Sequence, residues 1–226
     1  MTEENLQEIL DDANTGESAS IHRRELKKNV DIAKVWLEKT KNGVQFDPLP
    51  CFFIKNDDGL YVGIVYDMIY DLHWYISPNF RKRGLLTKSM REIILPYLSQ
   101  TREKQSISID SSQLIDLNYE ASLKVAQNLG FQFESGKSYV LDLEKYSLEE
   151  WIEGENNDLS QERIEFFKNQ LETISYSLWK IQTEVEMNLG ESVFTEEVLQ
   201  LVEEIKSKRD ILQDEYWDFK GINLLK

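Results

Sequence analysis

Residues 71–77 read DLHWYIS, with a carboxylate, an imidazole, a phenol and a hydroxyl at every second position. Alternate side chains of a strand share a face, so Asp71, His73, Tyr75 and Ser77 would line one side of it. Carboxylates and imidazoles are the common general acids and bases, and an imidazole changes charge nearest neutrality. Each also has a plainer role, Asp71 as a strand-start residue facing water and His73 as a satisfied structural residue. Asp67 adds a carboxylate near the same strand end, and Tyr119 and Tyr139 are further proton-bearing groups that packing alone would also explain.

The strand ends at Pro78 and runs into SPNFRKRGLLTKSM, where Arg81, Lys82, Arg83 and Lys88 surround Gly84. A Gly-containing basic loop that opens a helix leaves unpaired N–H groups at the positive end of the helix dipole. That combination suits phosphate, and a glycine lets a ligand come close to the main chain. A solvated basic turn before an ordinary helix would carry the same residues. The single cysteine, Cys51, follows Pro50 at the head of an apolar run and reads as a buried small side chain. With only His22 and His73 beside it, there is spacing neither for a Cys–His nucleophile nor for a metal site, and no intramolecular disulfide can form.

The elements that must position these groups follow from periodicity. Residues 1–20 are polar and read as a flexible tail. Leu26, Val30, Ala33 and Leu37 fall at helical spacing, which predicts a helix over 24–41 with a stop at Asn42-Gly43 and leaves no first strand ahead of it. CFFIK (51–55) and LYVGIVYDMI (60–69) predict two strands joined by the turn NDDG, with DLHWYIS as a third. A helix should run from near Gly84 to Pro96 with Leu86, Met90, Ile93 and Ile94 on one face. SISID (106–110) predicts a strand, 119–129 a helix stopped by Gly130, and FQFES with SYVLDLEKY a closing pair of strands. Beyond Ser147, a capping-box start, strand signals vanish. Ile164, Phe167, Leu171, Ile174, Leu178, Ile181 and Val185 alternate steps of three and four, the seam of a coiled coil. Thr195-Glu-Glu restarts a helix lined by Val198, Val202, Ile205, Leu212, Tyr216 and Phe219. The sum is an α+β fold, a mixed and mostly antiparallel sheet flanked by helices (21–147), followed by an antiparallel α-helical hairpin (148–226).

The 226 residues carry a net charge of -15. Residues 1–147 hold 22 Asp/Glu against 18 Lys/Arg, a net of -4, and 148–226 hold 19 against 8, a net of -11. Phosphate repels such a chain, so a general nucleic-acid binder is excluded. No apolar run approaches the roughly 20 residues of a membrane helix, and the acidic N-terminus lacks the basic and apolar regions of a signal peptide. A cytoplasmic protein is the expectation, with a possible homodimer or protein partner through the C-terminal helices.

SPNFRKRGLL resembles the acyl-CoA-binding signature of the GNAT superfamily of N-acetyltransferases, an Arg/Gln-x-x-Gly-x-Gly/Ala loop that follows a strand and opens a helix. NYEASLKVAQNLGF (118–131) resembles the second signature of that family, and the elements between the two blocks also agree. The resemblance covers roughly residues 50–145. It implies a strand at 71–77 that splays from its neighbour, with main-chain groups of Trp74, Tyr75 and Ile76 along the pantetheine arm of acetyl-CoA. It implies that the amides from Lys82 through Gly84, Leu85 and Leu86 to Thr87 hold the pyrophosphate beside Arg81 and Arg83, and that Asn118 and Ser122 lie near the far end of the arm. Asp71 stands where some members carry a glutamate general base, with His73 as the weaker candidate. Leu86 departs from the usual Gly or Ala, Asn118 stands four and not three residues before Ser122, and Ala126 stands where many members have a tyrosine acid. The implied activity is transfer of an acetyl group from acetyl-CoA to a primary amine. The acidic balance favours a cationic acceptor such as a polyamine, an amino sugar, a lysine or a protein N-terminus. The alternative is a non-catalytic scaffold on the same fold, with the hairpin as partner surface.

Overall fold

The computed structural model describes residues 2–16, 20–36, 47–110, 116–146 and 159–221. They belong to two compact units, Met1–Asn157 and Asp158–Lys226. The predicted stop at Asn42-Gly43, the boundary near 147 and the capping sequence from Ser147 fall outside the described residues.

The N-terminal tail is a helix. α1 (Glu3–Thr15) is capped by Thr2, whose hydroxyl accepts from the Asn5 amide in a reciprocal capping box, and it stops at Gly16. Leu6, Ile9, Leu10 and Ala13 form its buried stripe at helical spacing. The helix predicted over 24–41 is likewise overturned. β1 (Ile21–Lys27) and β2 (Val30–Val35) form a hairpin there, turned by Lys28 and Asn29, and Asn29 takes a φ of 70°. Leu26 and Val30 face one core and Ala33 the other, so the spacing fits a helix and not one strand face. It misleads because this sheet is covered on both faces, and burial on both faces removes the polar half of the alternation.

β3 (Leu49–Lys55), β4 (Tyr61–Asp67) and β5 (Leu72–Ile76) complete a five-stranded antiparallel sheet in the order β1-β2-β3-β4-β5. β3 shows how one strand serves two cores. Cys51 and Phe53 face Leu6, Ile9 and Leu10 of α1, while Phe52 and Ile54 face the other way. On that second side Leu86, Met90 and Ile94 pack, from a helical segment built of α2 (Leu85–Ser89), a π-helical stretch (Met90–Ile94) and α3 (Leu95–Leu98). The segment does not stop at Pro96. A proline in an α-helix would drive its ring into the carbonyl four residues back, and here the widened turn takes up that clash. The Leu95 amide reaches back five residues to the Met90 carbonyl.

β6 (Lys104–Ser108), α4 (Asp116–Leu129), β7 (Gln132–Ser135) and β8 (Ser138–Asp142) follow, with the strands in a second antiparallel sheet ordered β6-β8-β7. Ala126 and Leu129 of α4 and Ile107 and Leu141 of the sheet join the second core.

The second unit is the predicted helical pair, α5 (Gln161–Leu189) and α6 (Val193–Phe219). Ser160 caps α5, and Ser192 with Thr195 forms a capping box on α6. Most of the predicted seam holds, with Ile164, Val198 and Val202 buried and Phe167, Leu171, Leu178, Val185, Ile205, Leu212 and Tyr216 half-buried. α5 buries Ile164, Ser175 and Gln182, and α6 buries Thr195, Val198, Val202 and Gln213. Ile174 and Ile181, predicted inside, stand 48% and 50% exposed. The apolar stripe of α5 is wider than one partner helix can cover, and α6 packs against its edge. Among the described residues no helix is long and apolar enough to cross a membrane.

Candidate functional site

The two sheets of the first unit meet at one point. A parallel bridge joins Asp71, at the head of β5, to Ser106 of β6. β6 pairs with β8, and among the described residues the C-terminal half of β5 has no strand neighbour on that side. The register shows which backbone groups face the gap. Ser77 N–H donates to the Val62 carbonyl and Met68 N–H to the Asp71 carbonyl, each at 2.9 Å. Ile64–Tyr75 and Tyr66–His73 therefore share the phase of the hydrogen-bonded pairs, and Leu72, Trp74 and Ile76 point their main chain away from β4. Of the three residues expected along a ligand arm, Trp74 and Ile76 have this orientation. Tyr75 is the correction, because its main chain faces Ile64.

Asp71 and His73 are brought together, as the alternation predicts. The Asp71 carboxylate accepts the Ser108 amide of β6 at 2.8 Å and lies 3.3 Å from His73 Nε2. It ties the sheets together where they part. Burial alone would raise its pKa, but the hydrogen bonds from His73 and Ser108 outweigh that and hold the carboxyl below the usual range. A carboxylate so held is a poor proton acceptor. His73 is half-exposed, and its contact with Asp71 uses one of its two ring nitrogens. Asp67, the other carboxylate candidate, is committed to a two-pronged pair with Arg102 at 2.7 and 3.0 Å.

Further along the same face the Tyr75 and Ser77 hydroxyls both donate to Gln7 Oε1 of α1 at 2.9 Å. One helical turn earlier Glu3 spans the end of the gap. Its carboxylate accepts from Arg81 Nη2 at 3.0 Å and from Asn118 Nδ2 at 2.8 Å. Arg81 also donates to Asn118 Oδ1 at 3.0 Å and to the Ile76 carbonyl at 2.9 Å. This cation is therefore a pin between β5, α4 and α1.

After a 3₁₀ turn (Pro78–Phe80) the loop reaches Gly84, whose φ of 75° suits glycine; a Cβ there would meet nothing within 4 Å. The space over the main chain is open. Leu86, the residue that departs from the signature, puts its side chain into the core and leaves that space clear. Arg83 bonds the Asn79 carbonyl and covers the Phe80 ring. Among the described residues Lys82 and Lys88 have no partner and stay available to an anion. Leu85 and Thr87 lie in the first turn of α2, and Ser122 sits one turn beyond Asn118 on α4.

Ala126 is fully buried, so no side chain there could reach the gap. Tyr139 of β8 stands opposite Ile107 of β6. Desolvation, then its neighbour Tyr119, raises its pKa, so it stays a proton donor at neutral pH. Cys51 is buried, and burial followed by the nearby Asp67 pushes its thiol up to about 12, which removes it as a nucleophile. No three His, Cys, Asp or Glu side chains gather as a metal site among the described residues. A hollow of about 520 Å³ lined by Gln7, Asp11, Asn14, Tyr61, Ser77 and Asn79 lies at the C-terminal end of β5. Six residues of strand separate Ser77 from Asp71, about 20 Å, so this hollow is not where Asp71 or His73 would act.

Sequence reasoning missed Glu3, Gln7 and Ser108. The signal for the first two was present in Thr2-x-x-Asn5 followed by Leu6, Ile9, Leu10 and Ala13, a cap and a stripe inside an acidic segment. No protein-family model matches the chain, and a search of curated proteins finds no match.

Proposed function

We propose that the first unit is a GNAT-type N-acetyltransferase that moves an acetyl group from acetyl-CoA to a primary amine. The observation that carries this is the parting of β5 from β6 beyond the Asp71–Ser106 bridge, with the Gly84 loop and its helix directly following β5. Leu86, which departs from the signature, is buried and leaves the loop's outer face clear. The residues present fit the co-substrate. Gly84 leaves its main chain uncovered, Lys82 and Lys88 supply uncommitted cations, and Trp74 and Ile76 present backbone groups to the gap. When bound, acetyl-CoA supplies an activated thioester carbonyl.

The roles of the chain's own groups follow from geometry. The amine must lose a proton as its nitrogen bonds to the acetyl carbon and the carbon–sulfur bond breaks. His73 is the better acceptor of that proton, because Asp71 is already satisfied by two donors. Asp71 orients the imidazole. Tyr139, kept protonated, is the candidate to return a proton to the leaving thiolate. A cationic acceptor suits the acidic surface.

A second reading, a non-catalytic binding protein, is favoured by the Glu3–Arg81–Asn118 bridge across the end of the gap. Turnover separates the two. Release of free thiol from acetyl-CoA over a panel of amines, with His73→Ala and Asp71→Asn beside the parent, should show activity that His73→Ala lowers by about 10²–10⁴. Cofactor binding with no turnover on a broad panel would leave the scaffold reading standing.

A further inference from the structure

We infer that the helical hairpin is half of a four-helix bundle, and that a second copy of this chain covers its apolar face. Both sides of the hairpin carry exposed apolar groups, Tyr176, Trp179 and Leu199 on the first, and they differ in what joins the helices. On the first, polar groups lace the helices together: Glu172 to Arg209 at 3.8 Å, Lys168 to Gln213 at 3.0 Å, and the Lys206 ammonium over the Trp179 ring at 5.2 Å. On the other stand exposed apolar side chains. Ile174 and Ile181 of α5 each precede a buried seam residue by one, Ser175 and Gln182. Phe194 and Leu201 of α6 likewise precede Thr195 and Val202. One residue before the seam is a rotation of about 100° in either helix. For two antiparallel right-handed helices that rotation carries both stripes to the same side of the pair, opposite the polar lacing.

Three features point to a second copy as the occupant. The first is size. Helices of 29 and 27 residues at 1.5 Å per residue make a face about 40 Å long and two helices wide, on the order of 800 Å². That is about the area each partner buries in a standard interface. The second is charge. The α5 flank carries Arg163, Gln170, Ile174, Ser177 and Ile181 and meets its first carboxylate only at Glu184, whereas the α6 flank carries Glu197, Glu204 and Glu215 against one cation, Lys208. A two-fold axis parallel to the helices lays α5 of one copy along α6 of the other, which sets the Arg163 end of one against the Glu215 end of the other, with Glu184 level with Glu197 at the far end. The third is level. With Glu172 beside Arg209 and Lys168 beside Gln213, that axis brings Arg163 of one copy to the height of Asp218 of the other, within one turn of Glu215. The seam inside each hairpin mixes Ile164, Val198 and Val202 with the polar Ser175, Gln182 and Gln213, and Ile174, Ile181, Phe194 and Leu201 remain outside it.

The test is sedimentation of the full chain at about 10 µM with far-UV circular dichroism as a check on folding. The parent should run at twice its 26.6 kDa. Ile174→Glu and Leu201→Glu should each weaken the dimer at least tenfold with helicity retained, while Tyr176→Glu, on the laced side, should leave it intact. Arg163→Glu should weaken it and Arg163→Glu with Glu215→Arg restore it. A monomer at 100 µM would overturn the inference, whether the face is then bare or covered by the chain's own first unit. So would a dimer that survives Ile174→Glu and Leu201→Glu but is broken by Tyr176→Glu.

Discussion

At the residue scale, Arg81 and Gly84 divide between them what a basic loop can do. Arg81 spends its donors on the Ile76 carbonyl, Asn118 and Glu3, so its charge is already answered. Gly84 and its lysine neighbours remain open. If the gap admits an anionic ligand, Glu3 competes with it for Arg81. A half-exposed pair of this kind contributes up to about 1 kcal/mol. Glu3→Gln should therefore tighten acetyl-CoA binding by up to about fivefold in a calorimetric titration, and weaker binding would show that Glu3 supports the site. Asp71 gives a pH signature. Its carboxyl lies below the ordinary range when folded, so its stabilisation is present above the unfolded pKa of about 3.9 and fades as pH falls through the lower folded value. Asp71→Asn should cost about 1 kcal/mol in urea denaturation at pH 7, and the gap between the two proteins should narrow below pH 4. A gap that is constant with pH would mean the carboxylate charge is not the source.

At the element scale, α1 is the piece whose structure matters most to the site. It is a core helix, since Leu10 is fully buried against the sheet. Leu10→Ala should destabilise the first unit by about 2–5 kcal/mol, whereas a loose tail would leave the denaturation midpoint unchanged. β3 to β8 and α4 were legible from apolar runs or periods, most of them bounded by Pro, Gly or Asn, though β6 lies two residues before its predicted 106–110. α1 was hidden by its charge, and β1 and β2 by burial on both faces of their sheet, which left apolar residues at helical spacing. The Asp71–His73 pair could be read from alternation alone. The Ser108 amide, the Glu3 bridge and the preference for His73 as proton acceptor could not, since they depend on residues far apart in sequence meeting at the point where two sheets divide.

At the scale of the whole molecule, two units carry separate claims: ligand chemistry in the first and self-association in the second. If the hairpins pair, the melting temperature should rise with protein concentration, and Ile174→Glu should remove that dependence without removing ligand binding. The central claim is that the space over Gly84 takes the pyrophosphate of acetyl-CoA, and thermal stability with and without the ligand tests it most directly. At 100 times its Kd the ligand should add about 2.7 kcal/mol of stability to the parent. Gly84→Asn, which tolerates the same backbone conformation, should keep a good part of that gain, and Gly84→Glu, which sets bulk and negative charge over the loop, should lose it. A parent that gains nothing, or a Gly84→Glu variant that gains as much as the parent, would contradict the account.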